Sequence, residues 1–388
     1  MVRSSSRSSI LAVFAGLLAS CGGHSNGGAP GGSNDGGVDG GGVQAEAGTD
    51  GGGDDAGTLS GTLIIEPDMG MTPVYNFISS AKKTLDMTMY ELNDTTATGL
   101  LTTLHSNGVQ VRVILDQNLE MSDNTDAYNA LNAAGVDVHW ANPTYAATHQ
   151  KTITVDGTTS LIMTLNFASE EYKSSRDFAT YDTDPKDVAA IEATFAADLA
   201  NAAITPSTGD DLVWSPTNAE GSLVAFIQGA KSTLLVENEE MGEDEIVYAL
   251  TAAEGRGVAV KIAMENSTDY TSEFTQLVQS GVKLATYEHD ALYIHAKVMV
   301  ADYGTSTASA FLGSENFSHA SLTENRELGI ITSWPAVLDG INTTVTSDFA
   351  GGTTYVPPDA GSVQPTPEAG ADADVDDASD AASPDAGD

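Results

Sequence analysis

Cysteine, basic residues and long apolar runs are scarce in this sequence. Cys21 is the only cysteine among 388 residues, which excludes an intramolecular disulfide. Lysine and arginine together number 15 against 55 aspartates and glutamates, for a formal net charge of −40. A broad nucleic-acid groove requires clustered basic side chains, so we expect nucleic acid not to be the substrate. No apolar run reaches the roughly 20 residues of a membrane-spanning helix.

The first 20 residues have the pattern of a secretory signal peptide. Two arginines precede an apolar run over residues 10–18, and this run is too short to span a bilayer as a mature helix. It leads into Leu-Ala-Ser-Cys at residues 18–21, which looks like a bacterial lipobox. We therefore expect lipidation at Cys21 and a membrane-anchored lipoprotein outside the cytoplasm, in the periplasm or at the cell surface. The alternative is an ordinary signal peptide followed by an incidental cysteine.

Two segments are too poor in apolar residues to bury a core. Residues 21–58 consist mostly of Gly, Asp, Ala, Ser and Asn, and we interpret them as a flexible linker. Residues 357–388 are rich in Asp, Ala and Pro, which indicates a disordered acidic tail. The part between these segments keeps 13 basic against 40 acidic residues, so its surface is expected to be acidic and well solvated.

The folded part is an internal repeat. Each copy begins with a short strand that ends at a proline, at residues 63–67 and 212–216. Helix-period segments and extended runs then alternate in the same order, with matching landmarks about 149 residues apart. Alternation of strand and helix indicates an α/β fold. We therefore predict two copies of one α/β unit, residues 59–206 and residues 207–356.

The pattern His-x-Lys-x-x-x-x-Asp occurs once in each half. Its residues are His149, Lys151 and Asp156 in the first half and His295, Lys297 and Asp302 in the second. Each copy is followed by a hydroxyl residue two positions before an asparagine. These residues are Thr164, Asn166, Ser314 and Asn316. Each half then reaches an Arg–acid pair, whose acids are Asp177 and Glu327. Accident rarely repeats so many elements in one order, so we interpret the motif as functional rather than as a half-buried strand histidine.

The spacing within the motif predicts an anion site. Apolar and β-branched residues follow each lysine and favour a strand. Residues two apart on a strand share a face, so His295 and Lys297 should point the same way, about 6–7 Å apart along the chain. A titratable imidazole beside a fixed positive charge can hold phosphate. The hydroxyl of Ser314 and the amide of Asn316 would add neutral donors from a neighbouring strand.

Two facing halves would place both histidines and both lysines around one phosphate. In-line displacement needs a nucleophile on one side and an acid on the other, and two imidazoles supply both. One neutral imidazole attacks phosphorus and forms a phospho-histidine. The other protonates the leaving alcohol and then takes a proton from water, while lysines and asparagines stabilise charge on the phosphate oxygens. No cofactor or metal is required, and the sequence offers no convincing metal-ligand cluster.

These motifs resemble those of the phospholipase D superfamily, whose signature is a duplicated His-x-Lys-x-x-x-x-Asp followed by Gly-Ser-x-Asn. The second half fits with Gly313, Ser314 and Asn316, whereas the first half has Thr164 and lacks the glycine. The resemblance covers roughly residues 60–350. It implies two pseudo-symmetric α-β-α sandwich halves with one shared active site, and the same two-step mechanism.

The resemblance also implies roles for the remaining motif residues. Asp177 and Glu327 would accept from the second nitrogen of the imidazoles and set the tautomer. The family pattern makes His149 the nucleophile, although the residues alone leave the two histidines equivalent. Asp156 and Asp302 are either catalytic or anchors of a strand end, and the sequence leaves both readings open.

The function predicted is a monomeric phosphodiesterase of the phospholipase D type that hydrolyses or transfers phospholipid head groups. Alternatives on the same fold are an endonuclease acting on DNA or RNA and a cardiolipin-synthase-like phosphatidyl transferase. A binding protein with a decayed site is a further alternative, against which the intact His, Lys and Asn of both halves argue. Tyr90 and Glu239 hold matching places in the two halves, and the glutamate either faces the pocket or lies on a solvated loop.

Overall fold

The computed structural model of the protein describes residues 59–358. Four predicted features lie outside the described residues: the signal peptide, the lipidation of Cys21, the linker up to residue 58 and the tail from residue 359. The expectations for these segments therefore stay predictions. Within residues 59–358, no helix has both the length and the apolar character needed to cross a membrane.

Helices and strands follow one another in the same order in both halves. In the first half they are β1 (Leu63–Glu66), α1 (Thr72–Ser80), β2 (Thr84–Met89), α2 (Thr95–Ser106), β3 (Gln110–Leu115), α3 (Met121–Ala133), β4 (Asp137–Trp140), β5 (Thr152–Val155), β6 (Thr159–Met163), β7 (Ser175–Asp182) and α4 (Pro185–Leu199). In the second half they are β8 (Leu212–Ser215), α5 (Ala219–Gly229), β9 (Thr233–Asn238), α6 (Asp244–Gly255), β10 (Ala259–Glu265), α7 (Thr271–Ser280), β11 (Lys283–Tyr287), β12 (Tyr293–Ile294), β13 (Lys297–Ala301), β14 (Ser309–Gly313), α8 (His319–Thr323), β15 (Glu327–Thr332), α9 (Pro335–Gly351) and β16 (Thr353–Thr354).

Local chemistry fixes several helix ends. Asp94 caps α2 by accepting from the backbone N–H groups of Thr96 and Ala97, and Asp184 caps α4 in the same way. A cap of this kind satisfies donors that have no partner within the helix and contributes about 1 kcal/mol. Gly281 ends α7 in the left-handed conformation, with a φ of 106°, which glycine adopts without a steric cost.

Each half is built on one mixed sheet. The strand order is β1-β7-β6-β5-β2-β3-β4 in the first half and β8-β15-β14-β13-β9-β10-β11 in the second, with β16 added beside β11. In each sheet the last three strands of this order are parallel, because helices make the crossovers between them. The other neighbours in the order pair antiparallel. The shared order confirms the prediction of two copies of one α/β unit.

Helices cover the outer face of each sheet, and the inner faces pack together. Helices α1, α2 and α3 pack on the first sheet, and α5, α6 and α7 pack on the second. In β13, Met299 faces the outer helices, while Val298 and Val300 face inward toward α9. The inward residues join Ile162 of β6 and Leu312 of β14 in one central core. This core holds the two halves together.

Each half lends a short extended segment to the other. Strand β12 belongs to the second half by sequence, yet it pairs in parallel with β7 of the first, with Tyr293 opposite Ser175. In the equivalent place, Thr148 of the first half forms a parallel bridge with Arg326 of the second. The segment that carries each motif histidine is therefore aligned by the Arg–acid strand of the opposite half.

The motif strands begin later than the sequence indicates. Strand β5 starts at Thr152 and β13 at Lys297, so His149 and His295 lie just ahead of their strands. The backbone before each strand hydrogen-bonds to the opposite half, which prevents the ladder from continuing back to the histidine. The imidazoles are thus presented from the junction of the two halves and not from the face of one sheet.

Asp116 orders the turn before helix α3, which begins at Met121. Its carboxylate accepts from the backbone N–H groups of Leu119 and Glu120 at 2.8 and 3.0 Å. These bonds order the turn that leads into the helix.

Candidate active site

Two histidines and two carboxylates form crossed pairs between the halves. The Nδ1 of His149 lies 2.8 Å from Oε2 of Glu327, and the Nδ1 of His295 lies 2.8 Å from Oδ1 of Asp177. All four side chains are buried. An ionised carboxylate can only accept, so Nδ1 carries the proton in each ring and Nε2 is the basic nitrogen.

The exchanged segments produce this crossing. Because β12 pairs with β7, His295 is brought beside Asp177, and the Thr148–Arg326 bridge sets His149 beside Glu327 in the same way. The acid and the arginine before it point to opposite faces of their strand. The acid therefore faces the histidines while the arginine faces away from them.

The two arginines also bind across the halves. Arg176 Nε donates to Oδ2 of Asp348 in α9 at 2.7 Å, and Arg326 Nη2 donates to Oδ1 of Asp198 in α4 at 3.2 Å. Both arginines are buried. A buried ion pair is costly to break on one side, so these pairs fix the two halves in the register that the histidines need.

Further donors hold the two paired carboxylates ionised. Asp177 accepts from Thr164 and from Ser175, each at 2.5 Å, and Glu327 accepts from Ser321 at 2.6 Å. Burial acts to raise the pKa of both carboxyls, but the adjacent imidazoles and these donors together hold the pKa of Asp177 and that of Glu327 below their usual values. Each acid is thus prepared to stabilise positive charge on its imidazole.

The two motif lysines are fully buried and differ in their surroundings. Each donates to the carbonyl oxygen of the histidine in its own motif. Lys151 Nζ lies 4.9 Å from the centroid of the Tyr90 ring, whereas Lys297 Nζ lies 2.8 Å from Oε2 of Glu239. Burial, and then the charge of Lys297, lower the pKa of Lys151 to about 7. Each motif histidine is held by an acid of the opposite half, so both motifs face a common space.

The two histidines differ in their electrostatic setting. Burial lowers the pKa of His149; the carboxylate of Glu327 opposes this effect, and the charge of Lys151 adds to it. His149 is therefore neutral at neutral pH. A negative charge lies near the basic nitrogen of His295, because its Nε2 is 3.8 Å from Oε2 of Glu239.

The two hydroxyl residues predicted to bind phosphate have different contacts. Thr164 donates its only hydroxyl proton to Asp177 and accepts from the N–H of Phe178 at 2.9 Å. Its donor therefore serves the carboxylate, and its role toward phosphate stays a prediction. Ser314 accepts from the N–H of Leu328 at 3.2 Å, and its role toward phosphate stays a prediction.

The two asparagines are the remaining neutral candidates for phosphate. Asn166 and Asn316 are both buried, and their Oδ1 atoms have no hydrogen-bond partner within residues 59–358. The Nδ2 of Asn316 donates to Oε2 of Glu239 at 3.1 Å. An amide oxygen and a phosphate oxygen both accept, so a bond to phosphate would have to come from the Nδ2 of each asparagine.

Asp156 and Asp302 lie at the ends of β5 and β13 that are remote from the histidines. Asp156 accepts from the N–H groups of residues 82–84 at 2.7–3.1 Å, and Asp302 accepts from those of residues 231–233 at 2.7–3.3 Å. Both carboxylates cap the turns that start β2 and β9, which is the geometry of an anchor at the strand end. The catalytic interpretation of these two residues stays a prediction.

Glu239 lies in the site and not on a solvated loop. Its carboxylate contacts Lys297 and Asn316 as described, and Tyr293 donates its hydroxyl to Oε1 at 2.6 Å. The sequence analysis left open whether Glu239 faces the pocket, although its position in the repeat indicates that it does. Glu239 follows β9 as Tyr90 follows β2, so both side chains leave the sheet at the edge where the motifs meet.

Metal ligands are not grouped in the described part of the chain. Within residues 59–358, no three His, Cys, Asp or Glu side chains are placed to hold a metal ion together. The expectation that the reaction needs no metal stays a prediction.

One family model matches both halves of the chain. It is described as "Cardiolipin synthase, PLD-like domain", and it matches residues 74–199 and again residues 223–349. Together the two matches cover more than half of the sequence. Each match includes one copy of the motif and its downstream asparagine and acid.

Known proteins resemble parts of the chain. A curated relative, mitochondrial cardiolipin hydrolase of Chlamydomonas reinhardtii, is 26% identical over 120 residues, which are 31% of this chain and 53% of that protein. The match therefore spans about half the length of that relative.

Two solved structures share the fold at low identity. Phosphatidylserine synthase of Haemophilus influenzae has a TM-score of 0.57 at 12% identity, over 76% of this chain and 87% of that one. Polyphosphate kinase of Porphyromonas gingivalis has a TM-score of 0.58 at 14% identity, over 74% of this chain and 50% of that one. These two likenesses concern the fold alone.

Proposed function

The chain belongs to the phospholipase D superfamily, whose chemistry acts on phosphodiesters, and from this premise we propose that it hydrolyses or transfers the head groups of phospholipids through a phospho-histidine. The observation that carries the proposal is the pair of crossed histidine–carboxylate contacts. Each imidazole is held by an acid of the opposite half and presents Nε2 as its basic nitrogen. Two such nitrogens beside two buried lysines are what a two-step displacement at phosphorus requires.

In the proposed first step, His149 is the nucleophile. Its lowered pKa keeps Nε2 unprotonated at neutral pH, which a nucleophile needs. The bond from Nε2 to phosphorus forms as the bond to the leaving alcohol breaks, and His295 donates a proton from Nε2 to the alcohol oxygen.

In the proposed second step, water or another alcohol attacks the phospho-histidine. His295, now neutral, takes the proton of the attacking oxygen, and the bond between phosphorus and His149 breaks. The lysines and the amides of Asn166 and Asn316 stabilise the charge on the phosphate oxygens in both steps. Hydrolysis and transfer then differ only in which oxygen nucleophile reaches the intermediate.

Charge supports a lipid as the substrate over nucleic acid. The folded part carries 13 basic against 40 acidic residues, and two of the basic residues are the buried motif lysines. An acidic surface repels a polyanion over about 8 Å at physiological salt. The same surface also disfavours anionic bilayers, so zwitterionic phospholipids, or lipid surfaces with bound calcium, are the proposed targets.

The proposal includes a place of action. The lipobox-like residues 18–21 support acylation of Cys21 and a membrane-anchored lipoprotein in the periplasm or at the cell surface. A flexible linker over residues 21–58 would let the catalytic part reach the bilayer, since a flexible chain of this length spans roughly 30–36 Å on average. One chain supplies both motifs, which supports a monomer as the active form.

Rates on defined substrates test the proposed function. Vesicles of phosphatidylcholine, vesicles of phosphatidylglycerol and plasmid DNA are compared at low and high salt, with and without a chelator. We expect the fastest cleavage on phosphatidylcholine, unchanged by chelator, and a phosphatidyl-alcohol product when a primary alcohol is added. Faster cleavage of DNA than of either lipid would falsify the lipid proposal and favour the endonuclease. Hydrolysis without any alcohol product would contradict the covalent intermediate.

A further inference from the structure

One carboxylate oxygen occupies the point where the second motif directs its donors. Oε2 of Glu239 accepts from Lys297 Nζ at 2.8 Å and from Asn316 Nδ2 at 3.1 Å. It also lies 3.8 Å from Nε2 of His295. A lysine, an amide and an imidazole nitrogen are the groups that the mechanism uses on a phosphate. The carboxylate oxygen of Glu239 therefore occupies the position that we expect for a phosphate oxygen of the substrate.

The first half has no negative charge at the equivalent position. Tyr90 lies there, with its ring centroid 4.9 Å from Lys151 Nζ and 4.5 Å from the centroid of the His149 ring. An aromatic ring attracts an ammonium group weakly, whereas a carboxylate binds it through a charge-assisted hydrogen bond. The two lysines are thus unequal toward an incoming anion, because only Lys297 already binds a carboxylate.

Glu239 is held in place but has a route out of the site. Tyr293 donates to Oε1 at 2.6 Å, which adds a third contact to those of Lys297 and Asn316. The side chain of Glu239 is nevertheless 23% exposed, in contrast to Lys297, which is fully buried. A rotation about its side-chain bonds toward solvent would release both donors without moving the sheet.

We propose, resting on the function proposed above, that Glu239 is a specificity-determining residue that competes with substrate phosphate for Lys297 and Asn316. A phosphodiester carries one negative charge, so its exchange for the carboxylate leaves the charge at Lys297 unchanged. A phosphate monoester or inorganic phosphate carries close to two at neutral pH and meets the ionised Asp177 and Glu327 as well. Glu239 thereby favours diesters over more highly charged phosphates.

The binding of two small anions tests this role. Inorganic phosphate and dimethyl phosphate are titrated into the full-length protein by calorimetry at neutral pH and constant ionic strength. We expect Glu239→Gln to bind inorganic phosphate on the order of tenfold more tightly or better, because removing a like charge from an anion site has effects of this size. The gain for dimethyl phosphate is smaller, since that ion carries one charge.

The neighbouring glutamate provides a matched control. Glu240 forms no ion pair with a lysine within residues 59–358, and burial raises its pKa. Glu240→Gln changes the side chain in the same way one residue along. We expect a smaller gain than in Glu239→Gln for either anion, because the charge of Glu240 acts on Lys297 without the direct contact that Glu239 makes.

A second variant keeps the charge of Glu239 and removes only the hydrogen bond that Tyr293 donates to it. Tyr293→Phe deletes the hydroxyl that binds Oε1, so Glu239 leaves its donors more easily. Both anions should then bind a few-fold more tightly, in keeping with the loss of one hydrogen bond to a charged group. Cooperative thermal unfolding shows that each variant is folded before titration.

The outcomes separate this role from the proposed function. Unchanged affinity for inorganic phosphate in a folded Glu239→Gln variant overturns the inference, and so does an equal gain in Glu240→Gln. If Glu239→Gln does not fold, unchanged anion affinity in Tyr293→Phe overturns it instead. Absence of phosphodiester cleavage by the wild-type protein contradicts the proposed function, whereas these titrations need no turnover and decide the role of Glu239 alone.

Discussion

An imidazole presents one basic nitrogen at a time, and in both motif histidines Nδ1 is turned toward acceptors. For His149 these acceptors are the carboxylate of Glu327 and, at 3.1 Å, the carbonyl oxygen of Ser314. For His295 the acceptor is Asp177. At the residue scale, the acids therefore act by position: they select the tautomer and the direction in which Nε2 points.

The loss of either imidazole should abolish most of the turnover. We expect His149→Ala and His295→Ala each to lower kcat by about 100-fold or more, because one supplies the nucleophile and the other the proton. The double variant should be little worse than either single variant, since the two act as a unit. His139→Ala serves as the control, because this histidine is exposed and pairs with Asp137. A single variant that keeps more than about a tenth of wild-type turnover contradicts the shared site.

The setting of Lys151 predicts a pH dependence. Its pKa is lowered to about 7 by burial and by Lys297, so it is charged below this pH and neutral above it. Phosphate binding weakens as the charge is lost, and kcat/KM, which reports on groups of the free enzyme, should fall as pH rises through about 7. Lys151→Arg should remove this alkaline decline, because a guanidinium stays charged. A wild-type kcat/KM that is constant above neutral pH would count against the assignment.

At the scale of elements, a strand end depends on one carboxylate. Asp302 accepts from the backbone of residues 231–233 and so fixes the start of β9 beside β13. We expect Asp302→Ala to lower the free energy of unfolding by about 1–2 kcal/mol, because it leaves three part-buried N–H groups without a charged acceptor. Urea denaturation measures this loss, with the exposed Asp126→Ala as control. If Asp302 were catalytic, folded protein would instead lose turnover at unchanged stability.

The internal repeat made the helices and strands predictable from the sequence. It did not make the contacts between the two halves predictable. Strands and helices could be located because apolar periodicity and turn residues recur in both halves. The pairing of β12 with β7 could not be predicted from the sequence, because two residues such as Tyr293 and Ile294 do not indicate a distant partner strand. The resemblance implied that these acids accept from the imidazoles, but the crossing of the contacts between the halves follows from that pairing and was equally hidden. Asp156 and Asp302 were ambiguous for a different reason, since a motif gives spacing but not the end of a strand.

At the scale of the whole molecule, negative charge governs what the protein can approach. The sequence carries a formal net charge of −40, and repulsion of this kind weakens as salt increases. We therefore expect a site with two buried lysines inside an acidic surface to admit a small phosphodiester more readily than a long polyanion. The anchor proposed at Cys21 would offset the repulsion by holding the protein at a membrane.

The proposed anchor can be tested directly. Cys21→Ser should abolish labelling by a radioactive or clickable fatty acid and move the protein from the membrane fraction to the soluble one. The reason is that the thiol of Cys21 is the acceptor of the lipid in a lipobox. Ser20→Ala, which keeps the thiol, is the matched control. Unchanged labelling and fractionation of Cys21→Ser would contradict the anchor.

Because the halves exchange segments, catalytic activity should depend on the assembly of both halves. A chain in which only one half has folded contains a complete motif, yet its histidine has no carboxylate to orient it, because that carboxylate belongs to the other half. We therefore expect neither half to be active alone. Activity requires that both halves have folded and docked. We therefore expect a newly made chain to show no phosphodiesterase activity until its last large strand, β15, has taken its place.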